Sequence, residues 1–517
     1  MKFKRATLIL TSLALMSSMC ACGNFNQRTD LEGFKGVGEN AGVGANDNEG
    51  MKGANVGNID GFTDGLIGGY TEPSDEFSEI TETGFIETKD NAVSTFSVDV
   101  DTASYQLIKT FINDDIDIDE DAVRIEEMLN SFKYDYDEPT NGDPLALTTK
   151  MYDCPWNENN MVVQLGLQAE KIDMSNREPL NLVFLIDTSG SMSSDNKLGL
   201  IKKSLEKFIY DLSDNDTISI VTYAGSTEVK LDGAKGSESD KIMEVIDSLM
   251  SGGGTYGEGG LELAYEVASK YECDNNRVVL LTDGDFNIGM SGPDELEELI
   301  KEKAKSGIEL SVFGVGYGNL KDDTLEALAD NGNGNYGYIG DLTDANKCLV
   351  ESFGGTFYTV AKDVKLQAEF NPDVVKSYRL IGYENRVLNE EDFEDDTVDA
   401  GEIGSGHTVT AMYEIELDEG ATEGENLFKL GMRFKEPKGD KSDLREFEVV
   451  LEKPEKIDRD LAFACSVVEF GMDLRNSEFK GTTSYESIKD LLSKSDIQDN
   501  DRSEFVKIVD KYYENIK

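Results

Sequence analysis

Between residues 180 and 355 the apolar positions follow two alternating patterns, short continuous runs and longer stretches with helical spacing. The continuous runs include "LVFLI" and "VVLL". A strand that is apolar on both faces belongs to a parallel sheet covered by helices on both sides. Stretches such as "KLGLIKKSLEKFIYDL" repeat their apolar residues every three or four positions, which predicts helices. The alternation predicts a doubly wound α/β domain with a mostly parallel sheet.

Six strands are predicted in this region: "NLVFLID", "DTISIVTY", "TEVKLD", "RVVLLTD", "IELSVFGVG" and "NYGYIG". The third, "TEVKLD", follows the second after the tight link "AGS". A link that short joins antiparallel strands, because a parallel neighbour needs a long crossover. We therefore expect "TEVKLD" to be an antiparallel edge strand.

The flanking regions have different patterns. Residues 89–179 begin with an alternating strand and a helix in "NAVSTFSVDVDTASYQLIKTFIN", and "DAVRIEEMLNSFKYDY" has helical spacing, so we predict an N-terminal α+β segment. The acidic stretch "DIDIDEDAVRIEE", residues 115–127, has Glu120 where a calcium loop needs a glycine at its sixth position, and is interpreted as a solvated acidic helix start. Residues 356–455 predict a β-rich domain, and residues 456–517 predict a helical segment.

The first 88 residues are predicted to contain a targeting segment followed by a flexible tether. "MKFKR" followed by an apolar stretch and "MCAC" resembles a bacterial lipoprotein signal over residues 1–21, with lipidation at Cys22. A plain signal peptide is the alternative, whereas the apolar run of about 14 residues is too short for a membrane-spanning helix. Residues 22–88 are rich in Gly, Asn and Asp and predict a flexible tether. We therefore expect an extracytoplasmic protein held at a membrane by an N-terminal lipid.

Charge excludes one class of partner. The 517-residue chain has a net charge of −54 at pH 7, which becomes more negative when the basic signal segment is removed. Such a surface repels phosphate backbones, so nucleic acid is not an expected partner. Cysteines 154, 273, 348 and 465 lack a CxxC spacing, and the sequence leaves open whether they form disulfides or stay free.

Candidate chemistry lies where the predicted strands end. Asp187 ends "NLVFLID" and is followed at spacings of two by Ser189 and Ser191, while Asp283 ends "RVVLLTD". The glycine-rich stretch "SGGGTYG" places Thr255 just before a helix. Ligands of open α/β sheets bind at the carboxyl ends of strands, and carboxylate and hydroxyl oxygens suit Mg²⁺ or Mn²⁺.

These motifs resemble the metal-ion-dependent adhesion site of von Willebrand factor type A domains. The resemblance covers residues 180–355 and implies that Asp187, Ser189, Ser191, Thr255 and Asp283 surround a divalent metal, with Mg²⁺ expected and Mn²⁺ or Ca²⁺ as alternatives. It assigns Asp285 at most a supporting position. An open position on such a metal accepts a carboxylate, so the expected partner is a protein or other envelope ligand that offers one.

A wider resemblance runs from about residue 90 to the end. "STFSVDVDTASY", "VRIEEMLNSF", "CPWN", "YRLIGYEN" and "DAGEIGSGHTVTAMYEI" are similar to a YfbK-like group of bacterial type A domain proteins. In that group a type A domain lies between an N-terminal domain and a C-terminal extension. This resemblance implies an architecture rather than an activity.

Enzyme chemistry has little support in the sequence. An aspartic protease needs two Asp-Thr/Ser-Gly turns, but "DTSG" has no second copy in this chain. No GxSxG motif precedes His407, so a catalytic serine for it is not indicated. "SGGGTYG" lacks the GK[ST] of a phosphate loop. We therefore expect a binding protein rather than an enzyme. The alternative is an envelope scaffold or sensor subunit in which the metal is mainly structural.

Overall fold

The computed structural model of the protein describes residues 75–284 and 293–515. The strands in these residues are β1 Ile86–Glu87, β2 Val93–Ser97, β3 Leu145–Asp153, β4 Asn160–Ala169, β5 Leu180–Asp187, β6 Thr217–Tyr223, β7 Thr227–Lys235, β8 Asn275–Thr282, β9 Ile308–Val315, β10 Tyr336–Ile339, β11 Thr359–Phe370, β12 Val375–Ile381, β13 Val387–Leu388, β14 Gly401–Gly404, β15 Thr408–Leu417, β16 Asn426–Lys435 and β17 Ser442–Val450. The α-helices are α1 Ala103–Asn113, α2 Ile125–Asn130, α3 Leu198–Tyr210, α4 Ser239–Ser248, α5 Gly257–Ala268, α6 Pro293–Ala304, α7 Asp322–Asn331, α8 Leu342–Asn346, α9 Phe353–Phe357, α10 Arg459–Leu474, α11 Tyr485–Lys494 and α12 Asn500–Asn515. Within the described ranges we find no helix that combines the length and the apolar character needed to cross a membrane.

The α/β sheet has the predicted fold. Its strand order is β10-β9-β8-β5-β6-β7, and every neighbouring pair is parallel except β6 and β7. The prediction of an antiparallel edge at "TEVKLD" is therefore confirmed. All residues of β5 and β6 are buried, as their continuous apolar runs require.

Helices cover both faces of this sheet. On one face α3 and α4 pack their apolar sides, and on the other face α5, α6 and α7 do so. The second face is also covered by α1, whose Leu107 and Phe111 are buried in the same core. Because α1 lies outside residues 180–355, the N-terminal segment is part of the packing that holds the α/β sheet.

Two antiparallel sheets lie beside the α/β sheet. Their strand orders are β1-β12-β15-β4-β3 and β13-β2-β11-β16-β17, and apolar side chains of both form one core. The regions 89–179 and 356–455, which the sequence divides into separate predicted domains, each contribute strands to both sheets. Strand pairing between residues more than 200 positions apart leaves no mark on local periodicity, so the sequence could not predict this sharing.

The C-terminal helices complete a separate core with the N-terminal segment. Helix α10 packs against α2 and α11, and the three helices α10, α11 and α12 all contribute buried side chains to this core, Phe463 and Phe505 among them. Trp156 is buried in the same core and donates its indole N–H to Glu414 Oε2 at 2.9 Å. The N-terminal segment and the C-terminal helices therefore share one core.

The predicted tether ends earlier than residue 88. Asp75 Oδ1 accepts hydrogen bonds from the backbone N–H groups of Gly318 and Leu320 at 2.7 and 2.8 Å, and Glu82 lies 2.8 Å from the guanidinium of Arg475. Polar composition suggests a tether here, but these acidic side chains have specific partners on the folded chain. The predicted signal peptide, Cys22 and the rest of the predicted tether lie outside the described residues.

Candidate metal site at the strand ends

Asp187 is held rigidly at the end of β5. Its side chain is fully buried, Oδ1 accepts the backbone N–H of Ser189 at 2.7 Å, and Oδ2 accepts the hydroxyl of Thr282 at 3.1 Å. Thr282 is the last residue of β8, the strand next to β5 in the sheet. The carboxylate orientation is therefore set by the two neighbouring strands that carry the candidate site.

The two serines present their hydroxyls together. Ser189 Oγ lies 2.9 Å from Ser191 Oγ, within hydrogen-bonding distance. Ser189 is buried, whereas Ser191 is partly exposed at the start of a 3-10 turn over Gly190–Ser193. The spacing of two places both hydroxyls on one side of the turn, and the outer hydroxyl reaches solvent.

Asp283 occupies the corresponding position after β8. It is fully buried, and the ammonium of Lys197 lies 3.0 Å from its Oδ2. Lys197 precedes α3 and also donates to Asn319 Oδ1 at 2.7 Å. Sequence reasoning missed Lys197, because a single lysine between a polar loop and a helix carries no periodic signal that points it inward.

The loop that carries Thr255 lies against the serine loop. Gly190 donates its N–H to the carbonyl of Gly253 at 3.1 Å, and Gly252 donates to the carbonyl of Thr188 at 2.8 Å. Gly253 has φ +94, a conformation that favours glycine. Thr255 is partly exposed and lies between this contact and the start of α5. The structure thus brings the three predicted loops to the same edge of the sheet.

The electrostatics of the site favour a cation. Burial raises the pKa of Asp187 to about 6, the hydrogen bond from the Ser189 N–H opposes this, and the nearby charge of Asp283 adds to it. Within the described chain the ammonium of Lys197 forms an ion pair with Asp283 only, and the serine loop adds two hydroxyl oxygens beside Asp187. This donor set fits a hard divalent cation, which prefers oxygen ligands.

His407 and nearby Ser405 have defined surroundings. Burial lowers the pKa of His407 to about 4, and Ser405 Oγ accepts the backbone N–H of Ile172 at 2.9 Å. The four cysteines of the described chain are free thiols, so no disulfide is formed among them. Asp285 lies outside the described residues.

Three family models match the chain. The von Willebrand factor type A domain model matches residues 181–351, which contain the strand-end site. A model described as "Uncharacterized protein YfbK, C-terminal" matches residues 355–514. A model described as "von Willebrand factor" matches residues 71–164. Together these matches cover most of the described chain.

Individual proteins are similar over different lengths. The uncharacterized protein YfbK of Escherichia coli is 38% identical over 450 residues, which cover 81% of this chain and 78% of that protein. The uncharacterized protein sll0103 of Synechocystis is 27% identical over 203 residues, or 39% of this chain and 47% of that protein. The solved structure of a von Willebrand factor type A protein from Catenulispora acidiphila has a TM-score of 0.44 and 17% identity, covering 72% of this chain and 90% of that chain.

Proposed function

Because this chain belongs to the YfbK family and carries a von Willebrand factor type A domain, we propose that its strand-end site binds a divalent metal and, through it, a partner carboxylate. The partner is a protein or another ligand of the cell envelope. Mg²⁺ is the expected metal, with Mn²⁺ or Ca²⁺ as alternatives. The proposal assigns the protein a binding role without a catalytic step.

The observation that carries this proposal is the convergence of buried carboxylates and paired hydroxyls on one sheet edge. Asp187, Ser189 and Ser191 would hold the metal together with Asp283 and Thr255. Part of the acidic charge is already balanced by Lys197, so the bound metal would remain electron-poor. When bound, the metal supplies a positive centre that accepts a carboxylate oxygen from the partner.

The protein's own negative charge does not oppose such binding strongly. Repulsion between distant surface charges is screened within about 8 Å at physiological ionic strength. Contact between a carboxylate and the metal acts over a shorter distance than this. A protein with a net charge of −54 can therefore still bind an acidic partner at this one position.

The first test follows the melting temperature of the protein during titration with Mg²⁺, Mn²⁺ and Ca²⁺. A metal that binds only the folded state stabilises it by about 2.7 kcal/mol at a hundredfold excess over its Kd. We expect a saturable rise with Mg²⁺ or Mn²⁺ in the wild type and in Asp195→Asn, an exposed aspartate in the same loop. Asp187→Asn should lose the rise at this site, and a Mg²⁺ response that is unchanged in Asp187→Asn would contradict the proposal.

Partner binding separates adhesion from the scaffold alternative. Immobilised wild-type protein should capture envelope components in Mg²⁺ and release them in EDTA. Asp187→Asn should fold but capture none of them. If Asp187→Asn retains the same partners, another surface binds them and the scaffold hypothesis replaces the adhesion hypothesis.

We also propose that Cys22 carries the lipid that holds the protein at a membrane. The support is the order of a basic segment, an apolar stretch and a cysteine after small residues. Metabolic labelling with a fatty-acid analogue should mark the wild type and Cys20→Ser but not Cys22→Ser. Equal labelling of both variants would place the lipid elsewhere, and an unlabelled wild type would favour a plain signal peptide.

A further inference from the structure

Three carboxylates meet at a β-bulge between β11 and β14, on residues that the proposed function does not use. Asp363, Asp399 and Glu402 each place one carboxylate oxygen within 4.8 Å of the other two. Asp363 lies in β11, Glu402 lies in β14, and Asp399 precedes β14 by two residues. The cluster is therefore fixed to paired backbone rather than to one loop.

The bulge determines how the side chains converge. The register between β11 and β14 shifts between Ala361 and Val364, and Asp363, one of the two residues in between, has φ +50. Such a left-handed conformation is uncommon for aspartate and turns its side chain out of the regular alternation. Asp363 Oδ1 then accepts the backbone N–H of Ala400 at 3.2 Å, which links it to the segment that carries Asp399.

The carboxylates of the cluster are only partly paired. Glu402 is 7% exposed, and its Oε1 has no hydrogen-bond partner among the described residues. Lys435 lies 2.7 Å from Asp363 Oδ2, but this ammonium also donates to the carbonyl of Asp396 at 2.7 Å. Lys362 and Lys365 add further positive charge near Glu402 and Asp363, so the unsatisfied feature of the cluster is the unpartnered oxygen of Glu402. A buried carboxylate is costly unless it is paired or binds a metal.

A cavity gives access to these groups. It has a volume of about 210 Å³, and Asp399 and Glu402 lie in its wall. Its other charged lining residues are Asp99, Asp101, Asp330 and Arg386. The cavity is thus predominantly acidic and has room for an ion together with water molecules, each of which occupies about 30 Å³ in the liquid.

We propose that Asp363, Asp399 and Glu402 form a second divalent-cation site that binds Ca²⁺. Oxygens on opposite sides of Ca²⁺ stand about 4.6–5.2 Å apart, so oxygens within 4.8 Å of one another can contact a single ion. Ca²⁺ also accepts irregular sets of six to eight oxygens, which suits three carboxylates completed by water.

The position of the site gives the ion a structural consequence. Asp330 and Gly334 belong to the α/β region, and they line the same cavity as Asp399 and Glu402 of the β-rich region. An ion bound there would attract acidic groups from both regions and hold them together. Ca²⁺ would therefore stabilise the protein independently of any metal at the strand-end site.

The test separates the two sites by using Asp187→Asn as the background. In that protein Ca²⁺ should still raise the melting temperature saturably. Adding Asp399→Asn and Glu402→Gln together should raise the Ca²⁺ concentration at the midpoint of the response by more than about tenfold. Removal of groups that only support the ligands already weakens metal binding by about 10–100-fold. Glu394→Gln, an exposed acid that precedes β14, is the matched control and should leave the response unchanged.

Bound calcium is then counted after equilibrium dialysis at a free Ca²⁺ concentration that saturates the thermal response. The Asp187→Asn protein should retain one ion that the combined variant loses. If the combined variant does not fold, Asp399→Asn alone replaces it, because Asp399 is exposed. An Asp187→Asn protein without a Ca²⁺ response, or an equal response after both cluster substitutions, would overturn the proposal.

Discussion

At the residue scale, adjacent side chains of the same type have opposite roles. Glu126 and Glu127 follow each other in α2 and are both buried. Glu127 accepts the backbone N–H of Ser104 at 2.8 Å and pairs with Arg124. Glu126 Oε2 has no hydrogen-bond partner among the described residues. The interpretation of a solvated acidic helix start is therefore wrong for these two residues. Helix α2 is short and its apolar side chains pack into the core, so the neighbouring glutamates are buried with them.

This difference predicts opposite effects of two matched substitutions. Burial raises the pKa of both glutamates to about 8. The charges of Glu384 and Asp99 add to the effect at Glu126, whereas the charge of Arg124 opposes it at Glu127. Between about pH 4.5 and 8 the folded protein keeps a proton on Glu126 that the unfolded chain releases, so the free energy of unfolding falls as pH rises. Glu126→Gln should remove this pH dependence. Its free energy of unfolding should exceed that of the wild type by up to about 1.4 kcal/mol for each pH unit above the pKa of Glu126 in the unfolded chain.

The measurement is urea unfolding of both variants from pH 5 to 8. Glu126→Gln should exceed the wild type in stability by an amount that grows with pH. Glu127→Gln should be less stable by about 1–3 kcal/mol, because it weakens hydrogen bonds to a buried guanidinium. A Glu126→Gln protein that is destabilised at pH 8 would show that the carboxylate has a stabilising partner.

At the element scale, the candidate metal site depends on how closely α5 packs against β6. A Cβ atom at Gly260 of α5 would lie 2.9 Å from the Cβ of Tyr223, the last residue of β6. Tyr223 is buried beside Asp187, whose charge helps to raise the pKa of the tyrosine. The glycine therefore lets the helix that follows Thr255 approach the strand that supports Asp187.

Gly260→Ala should weaken metal binding without removing a ligand. Glycine-to-alanine changes inside helices usually stabilise by about 0.5–1 kcal/mol, but overpacking costs about 1–3 kcal/mol. We expect a lower melting temperature and a higher metal concentration at the midpoint of the Mg²⁺ titration. In Gly199→Ala of α3, where a Cβ would meet its nearest neighbour at 3.7 Å, the melting temperature should rise. Equal stabilisation by both substitutions would contradict close packing at Gly260.

At the scale of the whole molecule, buried ion pairs join segments that are distant in sequence. Arg386 lies 3.2 Å from Asp101 of the N-terminal segment and 3.2 Å from Glu326 of α7, and it also pairs with Asp330. Its side chain is only 12% exposed. Arg386 belongs to the β-rich region and therefore compensates the negative charge of carboxylates from both the N-terminal segment and the α/β region.

Removing Arg386 should loosen the whole assembly. Arg386→Met leaves several buried carboxylates without their cation, which costs about 3–5 kcal/mol for a broken buried pair. Thermal unfolding should show a large fall in melting temperature. Lys438→Met breaks an exposed pair with Asp274 that also joins distant segments, and it should have no measurable effect. Equal effects of the two substitutions would mean that burial does not set the strength of these pairs.

The sequence by itself determined the order of the α/β elements and the positions of Asp187, Ser189, Ser191, Thr255 and Asp283 at one sheet edge. Continuous apolar runs identify parallel strands, and parallel strands deliver their carboxyl ends to the same side, so local pattern was sufficient. The antiparallel edge at β7 followed in the same way from the length of its turn.

The tertiary structure alone decided which distant residues meet. Lys197 reaches Asp283, regions 89–179 and 356–455 share two sheets, and Asp363 joins Asp399 and Glu402 across a bulge. Each of these depends on strand pairing or side-chain contacts between residues far apart in the chain. Periodicity reports whether a residue faces the core, but the identity of its neighbour is set by packing that the local pattern does not encode.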